Sequence, residues 1–426
     1  MQKLVITVMV VIILPLMCGC AASRTYEFGP AAENESAYPK TPADSTAESE
    51  SAYPKMPADS TDDPWPAEPP IQVTLSPEEN EAIFLETLID DMSFEEQVSQ
   101  LFILSLGANI TAPFAELESL IGELEAGGYI LFSDNITTAD NVKALTDAIG
   151  EFSKIAPFIC IDEEGGAVSR LSSAGLAGYA APAAAGSIGR SGDAQNAYLA
   201  GETIGNALFA LGVNVDFAPV ADVLTNPQNK VIGDRSFGSD PELVSDMASA
   251  FTAGLRSQGI MSAAKHFPGH GASTDDSHIV PAVIESSAEH LANIEYLPFR
   301  RLIGEGVEFI MVGHILASKV EPKGLPATLS QYFVTDVLRG ELGFNGIICT
   351  DAMNMGAISK AYTSGQAAVQ AIKAGVDMIL MPSDYNDAKN GVIEAIHKRE
   401  IPIGRIRESL RRILRVKLAS GLITLK

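Results

Sequence analysis

From Ser76 onward two patterns alternate along the chain: short apolar runs of strand type, and longer amphipathic segments with apolar residues at helical spacing. The runs that predict strands are Leu101 to Leu106, Gly128 to Phe132, Phe158 to Asp162, Val213 to Val220, Met261 to His266, Phe309 to His314, Gly346 to Asp351 and Met378 to Met381. Strand alternating with helix means a parallel α/β sheet with crossover helices. Eight such units in about 350 residues predict a (β/α)8 barrel of the TIM type rather than an open sheet, because that barrel takes about 250 residues and tolerates insertions. The extra length falls between the third and sixth strands, and a last helix is expected over Ile403 to Leu418.

The strand ends carry the polar residues that matter. They close on Asp162, on Lys265 and His266, on His314 and on Asp351, with Asp216 and Asp222 bracketing the fourth strand. In a barrel these ends converge on one mouth. Ionisable groups in core strands would cost several kcal/mol each unless paired, whereas at the C-terminal rim they face a shared wet pocket. Asp351, Lys265 and His266 are therefore read as pocket groups. Asp216 and Asp222 are expected to pair and close the barrel top, and His314 either lines the pocket or is a satisfied rim histidine.

Before Ser76 the pattern is different. Lys3 precedes an apolar run from Leu4 to Met17, the length of an export-signal core and short of the roughly 20 residues a spanning helix needs. It closes on Met17-Cys18-Gly19-Cys20, which resembles the processing box of bacterial lipoproteins. Residues 1–19 are read as a lipoprotein signal, Cys20 as the lipidated residue, and the protein as extracytoplasmic and held to the membrane by that lipid. Residues 20–75 read as a tether: from Ala21 to Leu75 there are ten acidic residues to three basic ones, with Pro, Ala and Ser abundant and no apolar periodicity. Glu35 to Thr46 recurs as Glu50 to Thr61 with Thr41 replaced by Met56, a lengthened spacer rather than a core-forming repeat. Residues 76–426 are left as the catalytic barrel.

Composition narrows the chemistry. With 29 basic against 54 acidic side chains the net charge is −25, which repels phosphate backbones and excludes nucleic-acid binding as the main activity. Four scattered cysteines exclude a disulfide framework or a Cys-rich zinc site. Three of the six histidines, however, cluster in Lys265-His-Phe-Pro-Gly-His-Gly-Ala-Ser-Thr-Asp-Asp276-Ser-His278. His266, His270 and His278 could ligate a metal, or Asp276 and His278 could form an acid/base pair. Metal-binding histidines usually share a rigid face, and this spacing crosses a Gly/Pro loop, which favours the pair.

This segment resembles the signature of the beta-N-acetylglucosaminidases of glycoside hydrolase family 3, Lys-His-Phe-Pro-Gly-His-Gly followed by Asp-Ser-His. The likeness extends to Met92-Ser-Phe-Glu-Glu-Gln-Val-Ser-Gln-Leu-Phe, Gly127-Gly-Tyr-Ile-Leu-Phe, Asp162-Glu-Glu-Gly-Gly-Ala-Val-Ser-Arg170-Leu, Asn214-Val-Asp-Phe-Ala-Pro-Val-Ala-Asp222-Val, Arg235-Ser-Phe-Gly238 and Thr350-Asp351-Ala-Met-Asn-Met. The resemblance implies a retaining glycosidase with Asp351 as nucleophile and Asp276 with His278 as acid, then base. It also implies that Asp162, Arg170, Arg235, Lys265 and His266 hold the sugar. The residues suit this chemistry. A carboxylate must reach the anomeric carbon directly, and a neighbouring carboxylate favours the imidazolium that would donate the proton.

Glu163, Ala167 and Ala272 depart from the family pattern, which often has Gln, Arg and Asp there. They bear on pocket polarity, loop conformation and substrate preference. The chain's end soon after Leu418 favours the branch without a second sandwich domain. The expectation is an exo-acting beta-N-acetylglucosaminidase on muropeptides or chitooligosaccharides, needing no metal or organic cofactor. The alternatives are a beta-glucosidase, a phosphorylase of the same linkage, a metal-dependent barrel hydrolase and a non-catalytic sugar-binding lipoprotein.

Overall fold

A computed structural model describes the backbone at residues 24–25 and the chain over 76–107, 115–273 and 280–425. The leader, Cys20, nearly all of the tether, Asp276 and His278 lie outside the described residues. The first helix, Pro77–Asp90, starts where the sequence is written to start one: Ser76 accepts from the Glu79 N–H at 3.1 Å, Glu79 accepts from the Ser76 N–H at 2.7 Å, and Pro77 occupies the first turn.

Eight parallel strands follow in chain order: β1 Phe102–Ser105, β2 Gly128–Ile130, β3 Phe158–Ile161, β4 Val215–Asp216, β5 Met261–Phe267, β6 Phe309–Val312, β7 Ile347–Thr350 and β8 Ile379–Leu380. Each pairs with the next, β8 pairs with β1, and a bridge between Cys349 and Met378 joins β7 to β8, so the sheet closes on itself. That is the expected (β/α)8 barrel. The helices that return the chain include Ala139–Phe152, Ala194–Ala210, Pro241–Ser257 and Ser364–Ala374, and Ile403–Ala419 packs on last. Strand four is far shorter than the expected Val213 to Val220. Pro219 has no N–H to offer a ladder, and pairing resumes only at Val220, which bridges to Lys265.

The two-residue period of a strand sets what faces inward. On β3 it places Phe158, Cys160 and Asp162 on one face, from floor to mouth. Phe158 meets Phe309 edge-on at 5.0 Å. These residues sit on strands that are not neighbours, so their rings touch across the barrel interior. Among the described residues no helix is long and apolar enough to cross a membrane.

Candidate active site

The C-terminal ends of the strands surround a cavity of about 420 Å³ lined by Asp162, Glu164, Arg170, Arg235, Lys265, His266, His270, Asp351, Asn354 and Met355, among others. Six of the expected site residues meet here: Asp162, Arg170, Arg235, Lys265, His266 and Asp351. Asp276 and His278 follow Ser273 within the undescribed 274–279 segment.

Lys265 is the hub. Its Nζ lies 2.8 Å from Asp162 Oδ1 and 2.6 Å from Glu164 Oε1, and its side chain is only 2% exposed. Burial pushes the ammonium down, but Asp162 and Glu164 outweigh it and leave Lys265 above its ordinary value. Glu164 is gripped from the other side by Arg235, whose Nε and Nη2 each lie 2.8 Å from one carboxylate oxygen. Burial pushes the Glu164 carboxyl up, and Lys265 and Arg235 more than reverse it, holding it well below the usual carboxylate range. Arg170 places Nη2 3.1 Å from Asp162 Oδ2 and stacks over Phe132 at 5.3 Å. Both arginines thus line the pocket while already paired to its acids. Such groups can direct hydrogen bonds at hydroxyls without leaving the pocket strongly anionic.

Glu164 was not anticipated. Its signal was the run of three acids at the end of β3 before Gly165-Gly166, which only a turn can place together. Glu163, the family departure, faces away from the pocket. It accepts from the Leu171 N–H at 3.0 Å and from the Tyr179 hydroxyl at 3.0 Å, and burial raises its pKa. It therefore anchors the turn rather than changing pocket polarity.

Asp216 and Asp222 do not pair with each other. Asp216 accepts the Glu163 N–H at 2.9 Å, and its Oδ2 has no hydrogen-bond partner among the described residues; burial pushes its carboxyl well above the usual range. Asp222 is fully buried beneath the histidine loop. Its Oδ2 lies 2.8 Å from His266 Nδ1, and its Oδ1 accepts the His266 N–H at 3.1 Å and the His270 N–H at 2.7 Å. Burial pushes this carboxyl up, but His266 and then His270 bring it below its ordinary value. A side chain that accepts backbone N–H groups and orients an imidazole fixes both the loop and the ring.

The loop is packed too closely for other residues. A Cβ on Gly271 would stand 1.9 Å from the Val223 carbonyl oxygen, and one on Gly269, at φ 124°, would stand 2.6 Å from Glu295 Oε2. Ser273 Oγ lies 2.8 Å from His270 Nδ1, and Asn229 donates to the His270 carbonyl at 2.9 Å. Burial, then His266, lowers the pKa of His270. Ala272 packs against the apolar core, and Ala167 lines a neighbouring cleft of about 250 Å³ with Lys230 and Asp234. Beyond the undescribed segment, Ala282–Val283 pairs with Ile315–Leu316 after β6, so both flanks of that segment are fastened to the barrel rim.

Asp351 follows β7, half-buried, with its N–H donating to the Val312 carbonyl at 2.9 Å and its Oδ1 accepting from the Ala352 N–H at 2.8 Å. Burial pushes its carboxyl up; His266, His314, the Ala352 N–H and Lys265 together bring it below its ordinary value, so it stands ionised at neutral pH. His314 is a satisfied rim histidine that does not line the cavity: Nδ1 lies 2.7 Å from Thr328 Oγ1 and Nε2 3.0 Å from the Ala352 carbonyl oxygen. Among the described residues no three His, Cys, Asp or Glu are grouped to hold a metal ion.

Residues 93–416 match the glycosyl hydrolase family 3 N-terminal domain. Among curated relatives, the Beta-hexosaminidase of Alkalilimnicola ehrlichii is 36% identical over 281 residues, covering 65% of this chain and 80% of that protein. The Beta-hexosaminidase of Idiomarina loihiensis is 31% identical over 333 residues, 77% of this chain and 96% of that one. A solved family 3 beta-N-acetylglucosaminidase from a Paenibacillus species superposes with a TM-score of 0.74 at 35% identity, over 79% of this chain and 65% of that chain.

Proposed function

The chain belongs to glycosyl hydrolase family 3, and from that premise we propose that it is a retaining exo-beta-N-acetylglucosaminidase with Asp351 as its nucleophile. The observation that carries the reading is the ionised carboxylate of Asp351, held at a strand end in a pocket whose other acids are neutralised by Lys265, Arg170 and Arg235. A nucleophile must be anionic and rigidly aimed, and the groups around it must bind a neutral polyhydroxylated sugar rather than compete for it. The hexosaminidase relatives support the N-acetyl sugar as substrate.

In this mechanism a terminal N-acetylglucosamine enters with its hydroxyls and N-acetyl group held by Asp162, Arg170, Arg235, Lys265 and His266. Asp351 attacks the anomeric carbon, and the bond to the leaving oxygen breaks as His278, paired with Asp276, protonates that oxygen. Water activated by the same pair then hydrolyses the glycosyl-enzyme and restores Asp351. The residues that flank this pair in the chain, Ser273 and Ala282, are both fastened to the barrel. We further propose that Cys20 carries a lipid and that the tether lets the barrel reach muropeptide fragments or chitooligosaccharides outside the cytoplasmic membrane.

Release of nitrophenol from the aryl beta-N-acetylglucosaminide, compared with the matching beta-glucoside, tests this directly. Turnover of the N-acetyl substrate, lost in Asp351→Asn, is the expected result; turnover of the glucoside alone would overturn the substrate assignment. His278→Ala should damage an unactivated disaccharide at least about 100-fold more than the aryl glycoside, whose leaving group needs little protonation. Equal losses on both would remove His278 from the acid role.

A further inference from the structure

We propose that His314 is a positioning residue for the reaction: by holding Ala352 it sets the direction of the Asp351 carboxylate. The inference rests on the reading of Asp351 as nucleophile and goes beyond it, because His314 does not line the cavity that takes the sugar.

The geometry is a relay through one residue. Ala352 donates its N–H to Asp351 Oδ1 at 2.8 Å and offers its carbonyl oxygen to His314 Nε2 at 3.0 Å. A carbonyl can only accept, so Nε2 carries the proton and donates it. On its far side the ring is stopped by Thr328, whose Oγ1 lies 2.7 Å from Nδ1 and 2.8 Å from the carbonyl oxygen of Gly313 in the turn that carries the histidine. His314 and Thr328 are fully buried, so turning the ring would surrender two hydrogen bonds with no water to replace them. The Met353 N–H is in turn fastened to the Leu380 carbonyl at 2.9 Å. Ala352 is therefore gripped at its carbonyl by His314, just beyond the end of β6, and by the Met355 N–H at 3.1 Å, and is followed by a residue gripped by β8, which narrows the positions its N–H can take beside the carboxylate.

A second consequence follows from strand geometry. Backbone hydrogen bonds from β6 and β8 hold the chain at Asp351 and Met353, but neither reaches Ala352 between them. Ala352 is held instead from its own turn, by the Met355 N–H, and from the neighbouring strand end, by the histidine.

The test is steady-state and burst kinetics on the aryl beta-N-acetylglucosaminide with His314→Ala, His314→Gln and Thr328→Val, beside Asp351→Asn. A misaimed nucleophile costs on the order of 100-fold or less in the chemical step. His314→Ala is expected to lower kcat and the burst rate about 30-fold with KM within about twofold, a loss of aim rather than of binding. His314→Gln, whose amide N–H can still reach the Ala352 carbonyl, should recover most of that loss. Thr328→Val, which frees only the far side of the ring, should cost a few-fold. Should the alanine variant fail to fold, the glutamine and Thr328 variants decide. Losses confined to KM, an unchanged kcat in His314→Ala, a glutamine variant as slow as the alanine one, or, where the alanine variant does not fold, a Thr328→Val variant indistinguishable from the parent overturn the proposal. If Asp351→Asn is dead while every His314 variant is normal, only this inference fails; if Asp351→Asn keeps its burst, the nucleophile assignment itself fails.

Discussion

Among the described residues the barrel buries two lysines, one at each end, and treats them in opposite ways. At the mouth, Lys265 sits between Asp162 and Glu164 and is held above its ordinary pKa. At the floor, Lys417 of the last helix lies 5.0 Å over the face of Phe158, with Nζ donating to Gln100 Oε1 at 3.1 Å, and burial pushes it down to about 7. Burial is nearly complete for both, so desolvation does not distinguish them. The partners do: two carboxylates stabilise an ammonium against loss of water, and an amide oxygen with an aromatic face does not. One end of the barrel keeps its charge and orders it by pairing. The other keeps its charge only below about pH 7 and uses the lysine as a long, adaptable plug.

The sharpest way to break this comparison is to make the same change at both ends. Lys265→Met should remove the ammonium that Asp162 and Glu164 share, leaving each acid with only its arginine, lower unfolding stability by about 3–5 kcal/mol and abolish measurable turnover. Lys417→Met should do the reverse at pH 7, stabilising by roughly 2 kcal/mol once the lost Gln100 bond is counted, with kcat unchanged. Denaturant midpoints for the two variants moving in the same direction would mean that the partners are not what separates the two sites.

The comparison also predicts a pH dependence of known sign. Lys417 has an ordinary value of 10.5 and a folded value of about 7. Above 10.5 both states are neutral; as pH falls toward 7 the unfolded chain takes up the proton first, so stability is lost on the way down and levels off below 7. Relative to those of Lys417→Met, the urea midpoints of the parent protein should therefore fall between pH 9 and pH 7.

Glu295 gives the mouth its own exception, with the opposite dependence on pH. It lies under Gly269, its Oε2 has no hydrogen-bond partner among the described residues, and burial, then Asp222, pushes it up to about 8 from 4.5. Here the unfolded chain releases its proton first, so stability falls as pH rises from about 4.5 to 8 and levels above it. Glu295→Gln should remove that fall and be roughly 2–4 kcal/mol more stable than the parent at pH 8, with little difference at pH 4.5. A thermal-unfolding difference that does not change with pH would count against a neutral, buried Glu295.

How much of this was legible differs from residue to residue. Asp162, Lys265, His266 and Asp351 could be placed at a common mouth because each closes an apolar run, and a parallel barrel brings all such ends together. The shortness of strand four could also be read, since Pro219 stands inside the run, yet periodicity alone carried the strand on to Val220. The partners of Asp216 and Asp222 were not legible. Both lie near one strand end, but Asp216 turns to a backbone N–H across β3 while Asp222 turns under a loop more than 40 positions later, and no local pattern encodes that choice. Glu164, Glu295 and Lys417 were missed for the same reason: an acid or a lysine in a helix or turn looks solvated until packing closes over it.

The order of strands and helices, the eightfold barrel, the rim residues and the family signature were determined by the sequence itself, because apolar period, turn residues and motif spacing are local quantities. Which carboxylate neutralises which cation, which lysine stays charged, and how a buried histidine at the neighbouring strand end grips the residue beside Asp351 were decided only by the tertiary structure. Those outcomes depend on distance and solvent exclusion between residues far apart in the chain, and both are set only when the barrel closes.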